Sequence, residues 1–431
     1  MSESFEQYAE RLHAVAREAS KSPSIISTSA EIDAALDGGP AETLRRVVGI
    51  GERKASGAFF TGSDLRTKAA KLLVRKPSGE EVFLDPACGA GDLLLGVSQH
   101  LPVSLDLQET LNLWGQRLAG FDLRGDFVRA AKARLFLMAL KRGARPGRRF
   151  SIDQRRLFPL IKKSDALQLD KPFKNASHII VNPPFCTVDA AEDCTWGSGK
   201  VSQAALFIHH ILENAKQATR IVGILPDVLR TGSSYKSWRE QATGKARIWS
   251  TSIIGRFDTF TDIDVFLLNL ERRENPKTSQ ASDWWDSASA GVRVGDLFEI
   301  NVGPVVPHRD PTEGPEYQYI HSKALPPFGR TCGSRERRRF KGTTYKPPFL
   351  AIRRTSGPRD KFRAVGTIVT GNEPMAVENH VLIATPRDHT IDSCSRLMDL
   401  LRKEFANDWL NQRIRCRHLT VSSLEEIPWR L

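Results

Sequence analysis

Apolar positions along the first fifty residues recur at helical spacing. In "FEQYAERLHAVAREA", Phe5, Leu12, Val15 and Ala16 fall on one face, and "ETLRRVVGIGE" repeats the pattern before Gly49 and Gly51 interrupt it. Residues 1–51 are therefore expected to form a helical segment. From 52 to 275 the pattern changes to short apolar or β-branched runs, "EVFLD", "LAGFD", "HIIVN", "RIVGIL", "ARIWSTSII" and "VFLLNLE". Longer amphipathic stretches alternate with them, notably "DLLLGVSQHL", "DFVRAAKARLFLMALKRG" and "SQAALFIHHILENAKQ". That alternation predicts βα units and a doubly wound α/β domain on a parallel sheet. The polar, turn-rich run "ENPKTSQASDWWDSASAG" predicts a linker over 276–290. Beyond it, residues 291–431 hold strand-like pieces, "FLAIRR", "AVGTIVT" and "NHVLIAT", and one helix, "SRLMDLLRKEFANDWLNQR". No internal repeat is visible.

A chain of 431 residues has room for two or three domains. The formal net charge of +13 favours an acidic partner, nucleic acid ahead of a membrane surface, because neither end carries a polybasic lipid-anchor pattern. Six cysteines are scattered without a C-x-x-C pair, so no metal site and no disulfide framework is expected. No signal peptide and no run of about 18 apolar residues is found, which predicts a cytoplasmic protein without a membrane span.

The segment "VFLDPACGAGDLLLG" reads as strand, loop, helix, with Asp85 at the carboxyl end of the strand. Open α/β sheets bind ligands at this edge. Gly89 and Gly91 let the backbone turn sharply and approach a ligand, and the helix opening near Asp92 offers N–H groups to an anion. The loop fits neither G-x-x-x-x-G-K-[ST] nor the full G-x-G-x-x-G, which argues against a nucleotide triphosphate. At the next strand end, in "LAGFDLRGDFVRAAKARL", Asp122 is placed to accept hydrogen bonds from both ribose hydroxyls of an adenosine. A third acid, Asp165 in "SDALQLD", precedes the run "ASHIIVNPPFCTVD".

The ordered set "GAFFTGSDLRTKAAKLL", "FLDPACGAGDLLL", "GFDLRGDFVRAAKARL", "SDALQLD", "IIVNPPF" and "RIVGILPDVL" resembles the gamma-class N6-adenine DNA methyltransferases of restriction-modification systems. The resemblance covers roughly residues 52–275. It implies a Rossmann-like, S-adenosylmethionine-dependent methyltransferase sheet, preceded by the helical segment and followed by a mixed α/β target-recognition domain. In that family a "GxFFTP" segment helps hold the cofactor. Phe59, Phe60 and Thr61 match it, and Gly62 stands in place of the usual proline. By the resemblance, Thr61, Asp85, Ala87 and Gly89 line the methionine portion of S-adenosyl-L-methionine, Asp122 holds its ribose, and Asp165 with Ala166 meets its adenine.

The tetrapeptide Asn182, Pro183, Pro184, Phe185 suits transfer to an exocyclic amine. Such an amine is a weak nucleophile because its lone pair is delocalised into the ring. It needs acceptors that draw it towards tetrahedral geometry. The side-chain oxygen of Asn182 and the carbonyl of Pro183 offer two, and the prolines restrict the backbone that carries them. Phe185 would stack on a base that has left the duplex. Asn-Pro-Pro-aromatic also occurs in enzymes acting on cytosine N4, RNA guanine or a protein glutamine, and a catalytically silent DNA-binding subunit is a further alternative.

From Arg330 to Arg363, twelve Lys or Arg stand against two acids. This span, with Arg335, Arg337, Arg338, Arg339 and Lys341, is expected to contact double-stranded DNA, and Phe340, Tyr345, Phe349 and Phe362 are candidate stacking residues. Phe260 lies where the family often has an aromatic near the flipped base, and an equally simple reading makes it a core residue. His209 and His210 are expected to pack rather than bind, and Trp284 with Trp285 to pack between domains. No endonuclease motif is evident, so cleavage would fall to another polypeptide, and a specificity or restriction subunit is a candidate partner.

Overall fold

The computed structural model describes residues 3–22, 26, 29–49, 51, 60–74, 79–147, 157–258, 263–274, 284, 291–357, 360–415 and 418–430. Contacts divide the chain into two units, Met1–Trp284 and Trp285–Leu431.

The first unit begins with three helices, α1 (Phe5–Lys21), α2 (Ala30–Leu36) and α3 (Gly39–Val47). Ser4 and Gln7 form a capping box at the start of α1, an arrangement whose Ser contributes about 1 kcal/mol. Its buried face is Phe5, Tyr8, Ala9, Leu12, Ala16 and Ala19, the small residues permitting close approach to the long helix α7 described below.

Behind this layer runs a seven-stranded sheet: β1 (Phe83–Asp85), β2 (Leu118–Asp122), β3 (Ile161–Lys163), β4 (His178–Val181), β7 (Arg220–Pro226), β8 (Ala246–Arg256) and β9 (Asp264–Arg272), with a hairpin of β5 (Thr187–Asp189) and β6 (Lys200–Ser202) outside it. The sheet order is β3-β2-β1-β4-β7-β9-β8. The first five strands are parallel, while β9 pairs antiparallel with both β7 and β8. The parallel sheet expected from sequence is thus interrupted by β9 alone, which runs against the other six strands: the residues between Arg256 and Asp264 are too few for the crossover helix that would make β9 parallel to β8. The helices of the sheet are α4 (Ser63–Leu73), α5 (Asp92–Ser98), α6 (Leu107–Arg117), α7 (Gly125–Lys141), α8 (Gln203–Asn214) and α9 (Lys236–Lys245). The strand β3 and the helix α6 carry no expectation from sequence. With only Ile161 buried, β3 is too short to show a period.

Trp284 is buried in this unit, its ring 5.4 Å from that of Trp238 and its indole N–H bonded to Thr243 at 2.9 Å. The packing expected between domains is thus internal to the first unit for Trp284, and Trp285 lies outside the described residues.

The second unit holds a five-stranded sheet, β10-β17-β14-β15-β12, and a three-stranded one, β13-β11-β16. Here β10 is Phe298–Val302, β11 Glu316–Ile320, β12 Arg330–Thr331, β13 Arg337–Arg339, β14 Phe349–Arg353, β15 Gly366–Val369, β16 Met375–Val377 and β17 Val381–Pro386. The single helix expected from sequence is two, α10 (Ile391–Arg402) and α11 (Glu404–Arg413), broken at Lys403. At 3.6 residues per turn, the buried stripe Leu397, Leu400, Leu401 and the stripe Ala406, Trp409, Leu410 lie roughly half a turn apart. One straight helix could not bury both. The closing "HLTVSSLEEIPWRL" forms a short helix, α12 (Val421–Glu425), opened by a capping box at Thr420.

Candidate functional site

The carboxyl ends of four neighbouring strands carry the chemistry. Asp85 ends β1, Asp122 ends β2, Asp165 follows β3 by two residues and Asn182 follows β4 directly. Along the chain they come as 85, 122, 165, 182, but the sheet order sets them side by side as Asp165, Asp122, Asp85, Asn182. The strand order reverses between β1 and β4, the switch point at which such sheets open a crevice.

A cleft of about 270 Å³ occupies that edge. Its lining includes Phe60, Thr61, Asp85, Ala87, Gly89, Asp122, Asp165, Ala166, Asn182 and Pro184. Every residue expected at a cofactor therefore meets at one cavity with two of the four tetrapeptide residues. Pro183 is buried and Phe185 half-buried outside this lining, the Phe185 ring 5.4 Å from Phe257 and edge-on to it. Phe59 and Phe260 lie outside the described residues. Phe257, three positions earlier, is the aromatic that meets Phe185.

The turn after β1 is held by its own acids. Gly89 N–H donates to Asp122 Oδ2 at 3.0 Å, Arg124 N–H to Asp122 Oδ1 at 2.8 Å, and Ala87 N–H to Asp85 Oδ1 at 3.1 Å. Gly89 and Gly91 take φ of +51° and +85°. A Cβ on Gly89 would stand 2.9 Å from the Phe60 ring and one on Gly91 2.9 Å from Ala131, so both positions exclude side chains twice over. Burial pushes the Asp122 carboxyl up to about 6, against the pull of its two backbone donors. Burial also pushes Asp85 well above the usual carboxylate range, with Asp122 and Asp92 adding to the rise and the Ala87 N–H opposing it.

Asn182 Nδ2 donates to Thr61 Oγ1 at 3.0 Å, joining the tetrapeptide to the segment before α4. Gly62, the departure from the family pattern, caps α4 with φ −65° and ψ 159°, dihedrals that a proline also adopts. The sequence did not indicate that Leu44 and Val48 from the helical layer, Leu123 and Arg124 after β2, and Phe127 and Gln203 also line the cleft. Leu123, Arg124 and Phe127 fall inside the segment "GFDLRGDFVRAAKARL" but had no role assigned there, and Leu44, Val48 and Gln203 are brought to the cleft by tertiary packing.

The two histidines of α8 pack. His210 Nε2 lies 2.9 Å from the Leu169 carbonyl, and His209 sits 3.6 Å from Glu213 with its ring 6.0 Å from Trp196. In the second unit, β13 carries Arg337, Arg338 and Arg339 antiparallel to Glu316, Tyr317 and Gln318. Arg337 pairs with Glu316 at 3.0 Å and Lys341 with Glu313 at 2.8 Å. Arg338 donates to the Asp310 carbonyl at 2.8 Å, with its guanidinium 5.7 Å from the Tyr319 ring centre. Arg335 and Arg339 are exposed without an ion pair among the described residues. Phe340 and Phe349 are buried core residues and present no stacking face, and Tyr345 and Phe362 are half-buried. Among the described residues no group of side chains could hold a metal ion, and no helix is long and apolar enough to cross a membrane.

A mostly parallel sheet of this order, with glycine turn and acids at its carboxyl edge, is a Rossmann-like methyltransferase fold. Residues 44–255 match the model of the N-6 DNA methylase family. In structure the chain is similar to the type IIL restriction-modification enzyme MmeI in complex with DNA, with TM-score 0.57 and 14% identity over 89% of this chain and 70% of that one. It is also similar to a modification subunit of a putative type I restriction enzyme from Vibrio vulnificus YJ016, with TM-score 0.39 and 18% identity over 54% of this chain and 47% of that one. A putative class I S-adenosylmethionine-dependent methyltransferase from Listeria monocytogenes gives TM-score 0.37 and 16% identity over 57% and 71%. The chain thus spans about half the length of the type I modification subunit. No curated protein sequence matches it.

Proposed function

We propose that the protein transfers a methyl group from S-adenosyl-L-methionine to the N6 amino group of an adenine swung out of double-stranded DNA, as the modification activity of a restriction-modification system. The observation that carries this reading is the meeting of Asn182 with Asp122, Asp85 and Asp165 at one cleft. An acceptor for an amine and a carboxylate suited to a ribose share its walls.

The residues present fit the cofactor. The Gly89 turn is a cradle that a Cβ would fill, and each Asp122 oxygen, bonded once to backbone, keeps acceptor capacity for a hydroxyl. Asp122 would hold the ribose, Asp165 with the small, buried Ala166 the adenine, and Phe60, Thr61, Asp85, Ala87 and Gly89 the methionine portion. When bound, S-adenosylmethionine supplies a methyl group already activated by its sulfonium. The chain then has to hold and orient the amine. The Asn182 oxygen and Pro183 carbonyl would accept its two N–H bonds, gathering lone-pair density on nitrogen and meeting the positive charge as it develops. The excess proton leaves the nitrogen once the C–N bond has formed. Phe185 would stack on the base, offsetting part of the few kcal/mol that extrusion costs.

The arginines of the second unit would contact phosphates, a separate specificity or restriction subunit is a candidate partner, and the cytoplasm is the proposed location. The test is incubation of purified protein with methyl-labelled S-adenosylmethionine and mixed-sequence duplex DNA, followed by digestion to nucleosides. The label is expected in N6-methyl-2′-deoxyadenosine. Label confined to cytosine, RNA or protein overturns the adenine reading, and no transfer with any partner subunit favours a silent DNA-binding role.

A further inference from the structure

Arg134 lies in α7 with none of its surface exposed, and its guanidinium reaches two separate parts of the chain through three partners. Nε donates to the Ala35 carbonyl in α2 at 2.6 Å, Nη2 to the Asp92 carboxylate at 2.8 Å, and Nη1 to the Ala90 carbonyl. Ala90 stands between the two left-handed glycines of the turn after β1, and Asp92 lines the cleft. One rigid fork of donors thus ties the helical layer of residues 5–47 to the turn that shapes the site. Arg66 ties the same layer to α4 by donating to the Leu36 carbonyl at 2.9 Å. The layer itself reaches the cleft: Leu44 lines it, and the Phe5 ring lies 5.8 Å from Phe60 and 4.6 Å from Phe127, both lining residues.

We propose that Arg134 is a positioning residue that couples docking of the helical layer to the shape of the glycine turn, and through it to occupancy of the cleft. A desolvated guanidinium cannot lose one of its partners without leaving a buried donor unmatched, so the three partners hold or release together. By linkage, loosening residues 5–47 weakens whatever the turn binds, and the bound ligand tightens the helices by the same factor. The identity of that ligand rests on the cofactor reading above; the tie between helices and turn does not.

Hydrogen exchange on the full chain tests it. Leu12 is fully buried in α1 and does not line the cleft. Leu12→Ala, without ligand, is expected to speed exchange of the amides that residues 86–92 carry, those of Ala87 to Asp92, and this effect is expected to vanish in an Arg134→Lys background. S-adenosylhomocysteine is expected to slow exchange across residues 5–47 of the wild type, and Leu12→Ala to weaken its binding on the order of tenfold, a typical coupling between sites. Should Arg134→Lys not fold, as judged by circular dichroism, the pair Arg134→Met with Asp92→Leu removes both buried charges and serves as the uncoupled background. Exchange at 86–92 that ignores Leu12→Ala, or that responds equally in both backgrounds, overturns the coupling. A turn that responds as expected in a wild type unable to bind S-adenosylhomocysteine supports the coupling and overturns the cofactor reading alone.

Discussion

The side-chain amide of Asn182 donates to the hydroxyl of Thr61 at 3.0 Å. An amide can present either its oxygen or its nitrogen in the same space, and the hydrogen-bond partner decides which. By accepting from Nδ2, Thr61 leaves the oxygen as the atom that the proposed mechanism would offer to an amine. Thr61→Val should therefore slow methyl transfer by about 10- to 100-fold, below the roughly 100- to 1,000-fold loss typical of removing a catalytic hydrogen-bonding group outright, as in Asn182→Ala. Thr61→Ser should restore most of the rate. Single-turnover assays at saturating cofactor separate this effect from binding, and a Thr61→Val enzyme of wild-type rate would remove the orienting role.

Gly62 has the dihedrals of a proline, and open space surrounds its Cβ position. Gly62→Pro should accordingly stabilise the first unit by about 0.4–1 kcal/mol through the unfolded chain's lost freedom. Urea denaturation would show a higher midpoint at constant m-value. A lower midpoint would mean that the glycine N–H is needed.

Asp122, pushed up to about 6 by burial, gives a pH dependence with two opposite signs. Its folded value lies above its unfolded one, so its contribution to stability is fully present below about 4 and is lost as pH rises through about 6. In the proposed ribose-holding role, ligand binding would go the other way, because the ionised carboxylate is the better acceptor for hydroxyls. Calorimetric affinity for S-adenosylhomocysteine should be level above pH 7 and fall as pH drops through 6, by up to about tenfold per unit. Asp122→Asn should weaken binding and flatten that profile. A profile unchanged in the variant would assign the titration to another group.

The sequence carried the site's residues but not their neighbourhood. Asp85, Asp122 and Asn182 were legible because each sits where an apolar strand stops, and strand ends of an α/β sheet converge whatever the loops do; Asp165, after the short and mostly exposed β3, was legible only through the order of the motifs. The Thr61–Asn182 bond spans 121 positions and has no signature at either end. Arg134 looked like one basic residue of an amphipathic helix, since nothing local distinguishes a guanidinium buried among carbonyls from a solvated one. The basic composition misleads for the same reason: Arg66, Arg117, Arg134, Arg230, Arg239 and Arg363 are all buried, so the formal charge is not all surface charge. The buried Phe340 and Phe349 look in sequence like the half-buried Phe362, because a turn-rich stretch gives no period from which to read a face.

The arginine strand β13 separates two roles that the sequence merges. Successive residues of a strand face opposite ways. Arg338, half-buried, bonds the Asp310 carbonyl and lies against Tyr319, whereas Arg337 and Arg339 are exposed, with Arg337 already committed to Glu316. If the second unit touches phosphates, Arg339 and Arg335 are the cations available at least cost. Arg339→Ala should weaken duplex DNA binding evenly across sequences and lower the slope of log K against log salt by about 0.9 for one lost phosphate contact. Arg338→Ala should instead lower the unfolding midpoint, because it strips the Asp310 carbonyl and the Tyr319 ring of a partner, and should leave the salt slope of the folded fraction unchanged. Filter-binding titrations at several salt concentrations, set beside urea melts, decide the matter. A slope that drops for Arg338→Ala and not for Arg339→Ala would reverse the assignment of the two faces.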